Sequence, residues 1–353
     1  MGRHTVLFLG TGGLSNASAR ARAFAYLPYL EKYGLRGFVG SYVYHRHLHR
    51  ASEKRGLCAK LALELVPLRT AFNFLSARTL WFHRLSYTRW QVRLGKWLGK
   101  RIVYDLDDAV YLTPLPETAV RVEHVPEVNS QKRERCEWIM KRADVVLVSG
   151  NELASYARQH SSNVRILPSV VPSVASGPSP SANPPVIGWV GAPENQRYIW
   201  DIEDVLVRLQ EERPALEVWL VTSRLTDPPP RYRHRLFPWS LAAEAEFIPQ
   251  FTVGIAPLRD DPWCRAKMNF KAIVCLGHGV PVVVSPTGLP LAEFADGRSV
   301  SVANSPEEWY LCLKQILDNP ARRNDLAAAG LDVIRHRFSA EARAGEFAEA
   351  VRG

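Results

Sequence analysis

Short apolar runs alternate with longer, helix-like segments along the whole chain. Strand-like runs lie at residues 5–9, 79–83, 101–106, 145–149 and 164–168, and again at residues 186–190, 217–221, 251–257 and 280–285. Segments with a helical pattern, such as residues 130–142 and 152–160, separate them. Continuous apolar strands divided by helices are typical of a parallel sheet that is covered on both faces. The pattern therefore predicts an α/β fold.

A proline-rich segment divides this pattern into two halves. Residues 171–185 contain five prolines among serine, alanine and glycine, a composition that favours an interdomain linker. We predict one domain over residues 1–170 and a second over residues 186–337, each with its own core. Residues 338–353 are predicted to form a C-terminal helix that packs back on the first domain.

The positive charge is concentrated in the first 110 residues. They contain 18 Lys and Arg against 6 Asp and Glu, a balance of +12, whereas the remainder contains 27 against 29, a balance of −2. Here residues 85–101 predict an amphipathic helix with Trp90, Leu94 and Trp97 on one stripe. One interpretation is that this stripe contacts a membrane surface or an anionic acceptor. The favoured interpretation is a crossover helix whose stripe packs in the core, as such stripes usually do. Nucleic acid is not a predicted partner, because no binding module for it accompanies the charge.

The cysteines and the hydropathy indicate where the protein works. The five cysteines show no paired spacing and are typical of reduced thiols in a cytosolic protein; they are Cys58, Cys136, Cys264, Cys275 and Cys312. The N-terminal apolar run is too short for a signal peptide, and no stretch reaches transmembrane length. We predict a soluble, cytoplasmic protein whose contact with a membrane is peripheral, at its inner face and through the basic N-terminal domain.

The segment from residue 251 to residue 286 gives the clearest indication of a ligand. Its pattern predicts a strand, a polar loop, a short apolar helix and a second strand. The loop and the start of the helix carry Arg265, Lys267, Asn269 and Lys271. Cations beside a helix N-terminus suit a diphosphate, because the free N–H groups and the helix dipole add to their charge. A charged surface loop without a ligand is the alternative.

Acidic residues close one predicted strand of the first half. Asp105, Asp107 and Asp108 stand at the carboxyl end of the run 101–106, the end at which parallel sheets bind ligands. They suit a divalent-metal clamp on a diphosphate, or a carboxylate that binds sugar hydroxyls or acts as a base, or a structural cap. We favour a site without metal, because cations of the second half can neutralise a diphosphate.

Five segments carry a resemblance to a known family. They are SARARAFAYLPYLEKYG at 18–34, GKRIVYDLDDAVYL at 99–112, ADVVLVSGNELASYA at 143–157, IGWVGAPENQRYI at 187–199 and the segment 251–286. In this order they resemble bacterial family 4-type glycosyltransferases of the GT-B fold. The resemblance implies two Rossmann-like domains facing each other across a cleft, with a nucleotide-sugar donor on the second and the acceptor on the first. It also implies transfer with retention of configuration, with no metal and no cofactor besides the nucleoside diphosphate sugar as co-substrate.

The resemblance also implies roles for individual residues. Asp107 falls beside the transferred sugar, and we assign catalytic roles to it and to Asp108. Pro238 and Trp239 fall in the loop that packs on the nucleotide base. The residues assigned to the donor diphosphate, from the resemblance and from their chemistry, are Gly12, Gly13, Arg197, Arg265, Lys267, Lys271, Thr287 and Gly288.

One departure from the family pattern is large. Family members commonly carry Glu-x7-Glu, whose glutamates contact the donor sugar and the ribose, but these positions are Ala266 and Val274 here. Asp260 or Asp261 are candidate replacements. The alternative function is therefore a catalytically silent GT-B-like protein that binds a nucleotide or a partner. The sequence leaves open the donor sugar and base, and whether the acceptor is a small aglycone, a saccharide or a lipid-linked molecule.

Overall fold

The computed structural model describes residues 4–10, 16–41, 66–112, 128–180, 182–294 and 298–353. These residues form two compact units. Unit 1 contains the described residues within Met1–Thr113, Val128–Pro172 and Ala340–Gly353, and unit 2 contains those within Ser173–Ser339. Gly12 and Gly13 lie outside the described residues.

Unit 1 is built on a parallel sheet. In chain order its elements are β1 (His4–Gly10), α1 (Ala17–Arg22), α2 (Leu27–Leu30), β2 (Leu35–Ser41), α3 (Val66–Ser76), β3 (Thr79–His83), α4 (Arg89–Trp97), β4 (Arg101–Leu106), α5 (Ser130–Met140), β5 (Val145–Val148), α6 (Asn151–Arg158) and β6 (Val164–Ile166). Among the described residues the sheet has six strands in the order β2-β1-β3-β4-β5-β6. The β3, β4 and β5 strands are apolar and buried along almost their whole length, as expected for a sheet with helices on both faces.

Unit 2 repeats this architecture. Its elements are β7 (Val186–Val190), α7 (Arg197–Trp200), α8 (Glu203–Glu212), β8 (Glu217–Val221), β9 (His234–Phe237), α9 (Leu241–Phe247), β10 (Val253–Ala256), α10 (Pro262–Arg265), α11 (Phe270–Gly277), β11 (Val282–Val284), β12 (Ser301–Val302), α12 (Pro306–Asp318) and α13 (Pro320–Val333). The six strands of its described part are parallel, in the order β12-β11-β10-β7-β8-β9. Its core lies between this sheet and helices α8, α12 and α13.

The last helix, α14 (Ala340–Arg352), belongs to unit 1 although it follows unit 2 in the chain. The Phe347 ring stacks on the Tyr26 ring with their centroids 4.2 Å apart, and it also stacks on Phe8. Arg101, at the start of β4, donates to the carbonyl oxygen of Ala350 at 3.2 Å. Aromatic packing and hydrogen bonds therefore fasten this helix to the first sheet.

The proline-rich segment joins unit 2 through its backbone. The N–H of Ala175 donates to the carbonyl oxygen of Gly277 at 2.8 Å, and that of Ser179 donates to Gly279 at 2.9 Å. These bonds run to the end of α11 and the turn after it. Main-chain hydrogen bonds thus hold the segment against unit 2.

The prediction for the tryptophan stripe is wrong in its favoured form. Helix α4 is indeed the crossover between β3 and β4, but Trp90 is 60% exposed and Trp97 is 81% exposed. The helix packs through Val92 and Gly95 instead; a Cβ on Gly95 would come within 2.7 Å of the Leu80 side chain. Glycine lets this face approach the sheet closely, and the stripe consequently turns outward.

Candidate functional site

The predicted strand–loop–helix–strand unit is present in unit 2. Strands β10 and β11 are parallel neighbours, with Gly254 paired to Val282. The connection that leaves the carboxyl end of β10 contains α10 and leads into α11. It therefore passes over the edge of the sheet at which parallel α/β proteins bind their ligands.

Two lysines of this connection lie against the turn that follows β7. The Nζ of Lys267 lies 3.1 Å from the Oδ1 of Asn195, and it stands 5.6 Å from the centre of the Trp263 ring. Lys271 is in the first turn of α11, and its Cε would lie only 2.9 Å from a Cβ at Gly191. The structure thus brings both predicted lysines to one place, beside the N-terminus of an apolar helix.

Asn269 stands between the two lysines in the chain and is fully buried. Its Nδ2 donates to the carbonyl oxygen of Ala256 at 2.8 Å, and its backbone N–H donates to Gly288 at 2.8 Å. Its Oδ1 has no hydrogen-bond partner among the described residues. Buried polar atoms are normally paired, so this oxygen is suited to accept a hydrogen bond from a bound ligand.

Gly288 packs closely against the backbone of the loop that carries Lys267, which we call the lysine loop. Its φ is +80°, and a Cβ at this position would lie 2.7 Å from the carbonyl oxygen of Lys267 and 3.0 Å from that of Cys264. Thr287 is buried beside it. Ser285, just before, accepts a hydrogen bond from the backbone N–H of Leu258 at 3.0 Å. The predicted residues after β11 therefore contact the predicted loop after β10.

The replacement Gly288→Ala is expected to destabilise the protein and to weaken nucleotide binding. The left-handed backbone alone costs a side chain about 1–3 kcal/mol, and the new Cβ must displace the Lys267 backbone. Urea denaturation and calorimetric titration with a nucleoside diphosphate measure the two effects. The control is Gly177→Ala, because a Cβ there meets no atom within 4 Å. Equal behaviour of the two variants would show that this close approach has no role.

The other residues predicted to bind the donor diphosphate lie in surroundings that differ from those of the two lysines. Arg197 begins α7 and is buried rather than solvated at the helix start. Arg265 is half-exposed, and its Nε lies 2.6 Å from the Oδ1 of Asp260. Asp261 caps α10 by accepting from the Cys264 N–H at 2.8 Å. Both candidate replacements for the missing glutamates therefore already make local contacts.

The positions of the missing glutamates hold apolar side chains that belong to the core. Ala266 and Val274 are both buried. In the predicted base-binding loop after β9, Pro238 is exposed and Trp239 is half-buried, with its Nε1 donating to Glu244 at 3.1 Å. The indole is thus fixed at its nitrogen, while part of its surface remains accessible.

A second cluster forms at the carboxyl end of β4 in unit 1. Asp105 is fully buried and pairs with Arg22, whose Nη2 lies 2.5 Å from its Oδ1. Arg22 also donates to the carbonyl oxygen of Leu167. A buried charge must be paired and hydrogen-bonded, and Asp105 satisfies this requirement inside the fold. Asp105 is accordingly a structural residue.

Asp107 is surrounded by hydrogen-bond donors. The Nε2 of His83 lies 2.9 Å from its Oδ1, the Nε of Arg84 lies 2.6 Å from the same oxygen, and Ser18 donates to its Oδ2. Burial by itself would raise the pKa of Asp107, but Arg84 and His83 outweigh this effect and hold it well below its ordinary value. Asp107 is therefore an ionised carboxylate that organises the side chains around it.

Arg84 connects the two predicted catalytic aspartates. Its Nη2 lies 2.5 Å from the Oδ2 of Asp108 and 3.0 Å from the Oδ2 of Asp107. Its backbone has a φ of +53°, which is uncommon for a residue with a side chain. Such strain is typical of positions that a functional site holds in place.

Sequence reasoning missed His83 and Arg84. Both directly follow the apolar part of β3, and β3 is the parallel neighbour of β4 with His83 opposite Asp105. The His83 ring is completely buried, and its Nδ1 has no hydrogen-bond partner among the described residues. A histidine that closes one strand beside an aspartate closing another is the signal that could have found them.

The search for metal sites covers only the residues that the structure describes. In these ranges no group of three or more His, Cys, Asp or Glu is placed to hold a metal ion. Likewise, no described helix has the length and hydropathy to cross a membrane.

A family match lies in the second half of the chain. Residues 245–349 match the family model described as glycosyl transferase-like. This range contains the lysine loop, α11 and β11. A comparison with curated protein sequences finds no significant match.

Solved structures resemble the whole chain. A glycosyltransferase from Rickettsia africae has a TM-score of 0.66 at 10% identity, over 100% of this chain and 98% of the other. Sucrose-phosphate synthase from Thermosynechococcus elongatus has a TM-score of 0.64 at 14% identity, over 99% and 98%. Anabaena HepE, solved in complex with UDP-glucose, has a TM-score of 0.62 at 13% identity, over 98% of each chain. At these identities the likeness establishes the fold, and it confirms the prediction of two Rossmann-like domains of the GT-B type.

Proposed function

We propose that this GT-B glycosyltransferase moves a sugar from a nucleoside diphosphate sugar held by unit 2 to an acceptor held by unit 1, with retention of configuration and without a metal ion. One observation carries the proposal. Lys267 and Lys271 converge on the turn after β7, beside the N-terminus of α11, at the carboxyl edge of the sheet.

This arrangement suits a leaving diphosphate. Two ammonium groups and the dipole of α11 supply positive charge where negative charge grows as the bond to the sugar breaks. Asn269 adds a buried side-chain carbonyl oxygen that is suited to accept a hydrogen bond from a hydroxyl group of the nucleotide sugar. Electrostatic stabilisation of the leaving group is the protein's main contribution under this proposal.

The reaction itself is a single exchange of partners at the anomeric carbon. The bond from this carbon to the diphosphate oxygen breaks, and a bond to the acceptor oxygen forms on the same face. The proton of the acceptor hydroxyl passes to the departing diphosphate. Retention requires the acceptor to approach the face from which the diphosphate leaves, so its orientation matters more than a strong base.

The Asp107 cluster is proposed to hold the sugar and the acceptor. Asp107 fixes Arg84 and His83 in place, and Asp108 shares the Arg84 guanidinium. Hydrogen bonds from this fixed set can orient hydroxyls at little entropic cost. The assignment differs from the sequence interpretation in one respect: Asp107 acts partly by positioning its neighbours.

UDP is the first nucleotide to test. Anabaena HepE was solved with UDP-glucose, and an α-glucosyltransferase of similar fold was solved with UDP and DNA. In this chain Trp239 and Pro238 offer a partly exposed apolar surface on which a base can stack.

A cytoplasmic location is also proposed, since the described cysteines are free thiols.

The buried Ala266 and Val274 favour one alternative, a silent protein that binds a nucleotide without transferring sugar. An assay with UDP-, GDP-, ADP- and dTDP-sugars separates the two. We expect hydrolysis or transfer with at least one donor, an α-product from an α-donor by NMR, and unchanged rates in EDTA. Nucleotide binding without turnover across the panel would establish the silent alternative. Loss of activity in EDTA would overturn the metal-free mechanism.

A further inference from the structure

Helix α4 presents tryptophan where a domain surface is normally polar. Trp90 and Trp97 are seven residues apart, so they lie within about 20° of each other around the helix. Their common direction is opposite to the face that packs on the sheet through Val92 and Gly95. Large apolar side chains that stand together in solvent mark interaction sites more often than they mark ordinary surface.

A second exposed apolar pair lies on the neighbouring helix. On α3, Phe72 is 71% exposed and Leu75 is 63% exposed. The Nζ of Lys100, just after α4, donates to the carbonyl oxygens of Leu75 and Ala77 at 2.7 and 2.6 Å. Helix α3 connects β2 to β3 and helix α4 connects β3 to β4, so both connections run in the same direction across the sheet. Right-handed crossovers that run in one direction place their helices on the same face of the sheet. We call this surface the α3–α4 face; it consists of Phe72, Leu75, Trp90, Trp97 and Leu98.

Cations border the α3–α4 face. The guanidinium groups of Arg89, Arg93 and Arg142 lie 5.4, 5.9 and 4.4 Å from the centre of the Trp138 ring on α5. In the helical repeat Arg93 flanks the exposed tryptophans, and Arg89 and Lys96 follow it toward the buried face of α4. These four cations face two carboxylates, because Arg89 pairs with Glu134 and Lys96 pairs with Asp144. The border therefore has a balance of +2.

We propose that the α3–α4 face docks this protein on the surface of an anionic lipid bilayer. Indole rings favour the boundary between headgroups and acyl chains, and arginine and lysine beside them attract anionic headgroups. The balance of +12 in the first 110 residues adds long-range attraction of the same sign. The inference goes beyond the transfer reaction and does not depend on it, since lipid binding is measured without donor or acceptor.

Vesicle flotation tests this directly. The full chain is mixed with vesicles of phosphatidylcholine alone or with 40% phosphatidylglycerol, in the absence of nucleotide. We expect binding to the anionic vesicles that is at least about tenfold stronger than to the neutral ones and that weakens as salt is raised. Failure to bind anionic vesicles at low salt overturns the proposal, and so does binding to an anionic oligonucleotide in place of vesicles.

Variants locate the contact. Trp90→Ser with Trp97→Ser removes two exposed side chains and should lower the vesicle partition constant by about tenfold or more. Arg93→Glu should reduce only the binding that depends on anionic lipid. The matched control is Leu311→Ser on α12 of unit 2, because this leucine is 54% exposed but lies outside the α3–α4 face. Undiminished vesicle binding by the double tryptophan variant would place the contact elsewhere and reject this face.

Discussion

Replacing Lys267 and Lys271 together by alanine is expected to weaken the binding of a nucleoside diphosphate by at least about 100-fold. Each charge-assisted hydrogen bond to a phosphate contributes about 1.5–3 kcal/mol, and each 1.4 kcal/mol is a factor of ten. The two lysines stand at one helix start, so their contributions to the site act on the same ligand. Isothermal titration calorimetry with UDP, repeated with GDP, measures the loss.

The control for this experiment is Lys314→Ala. Lys314 also belongs to unit 2, but it lies on α12 and contacts Glu212 and Tyr310. Its removal changes the net charge by one unit without touching the lysine loop, so nucleotide affinity should stay within about twofold. Unchanged affinity of the double variant, with normal thermal unfolding, would remove the phosphate assignment and with it the proposed donor site.

The second large effect is expected from Asp107→Asn. This change takes from Arg84 one of its two carboxylate partners and leaves Asp108 paired with it, so the expected cost is about 1–3 kcal/mol, the range for a buried hydrogen-bonding group that loses its partner. Urea denaturation should show the loss as a lower midpoint. At a temperature where the variant is folded, turnover should fall more than donor affinity, because donor binding rests on unit 2.

Its control is Glu134→Gln, which breaks the exposed pair between Glu134 and Arg89. Exposed pairs of this kind contribute about 0–1 kcal/mol, so little change in unfolding is expected. A stable Asp107→Asn variant with full turnover would show that the cluster has neither a structural nor a functional role. A variant that loses only stability, with normal turnover when folded, would limit Asp107 to holding the fold.

The depressed pKa of Asp107 also fixes the direction of the pH dependence. Its folded-state pKa lies below the unfolded value, so the unfolded chain takes up the proton first as pH falls. The stabilisation is fully present above about pH 5 and is lost as pH falls through the unfolded value toward the folded one. The difference in unfolding free energy between wild type and Asp107→Asn should therefore shrink in acid.

The sequence predicts those parts of this protein that depend on local pattern. Apolar runs locate most strands, and the cations beside the start of α11, Lys267 and Lys271 among them, predict a diphosphate site. The pairing of His83 with Asp107 depends on the register between β3 and β4, which no local pattern encodes. Sequence reasoning consequently grouped Asp107 with Asp105 and Asp108 but missed its partners on β3 and directly after it, His83 and Arg84.

The outward turn of α4 has a different cause. A stripe of tryptophan at helical spacing usually marks the buried face, but here Gly95 decides the packing because a residue without a side chain permits the closest approach to Leu80 and Ile102. A single small residue thus outweighs the hydrophobic pattern of the whole helix. Periodicity reports which residues share a face, and it does not report which face the sheet selects.

The attachment of α14 to the first sheet means that the polypeptide leaves the N-terminal half and later returns to it. A recombinant fragment that stops at Pro172 would lack Phe347 and present the aromatic rings of Phe8 and Tyr26 to water. Subcloning that half therefore calls for a circular permutant, in which the terminal segment is spliced ahead of β1 by a short glycine-serine tether.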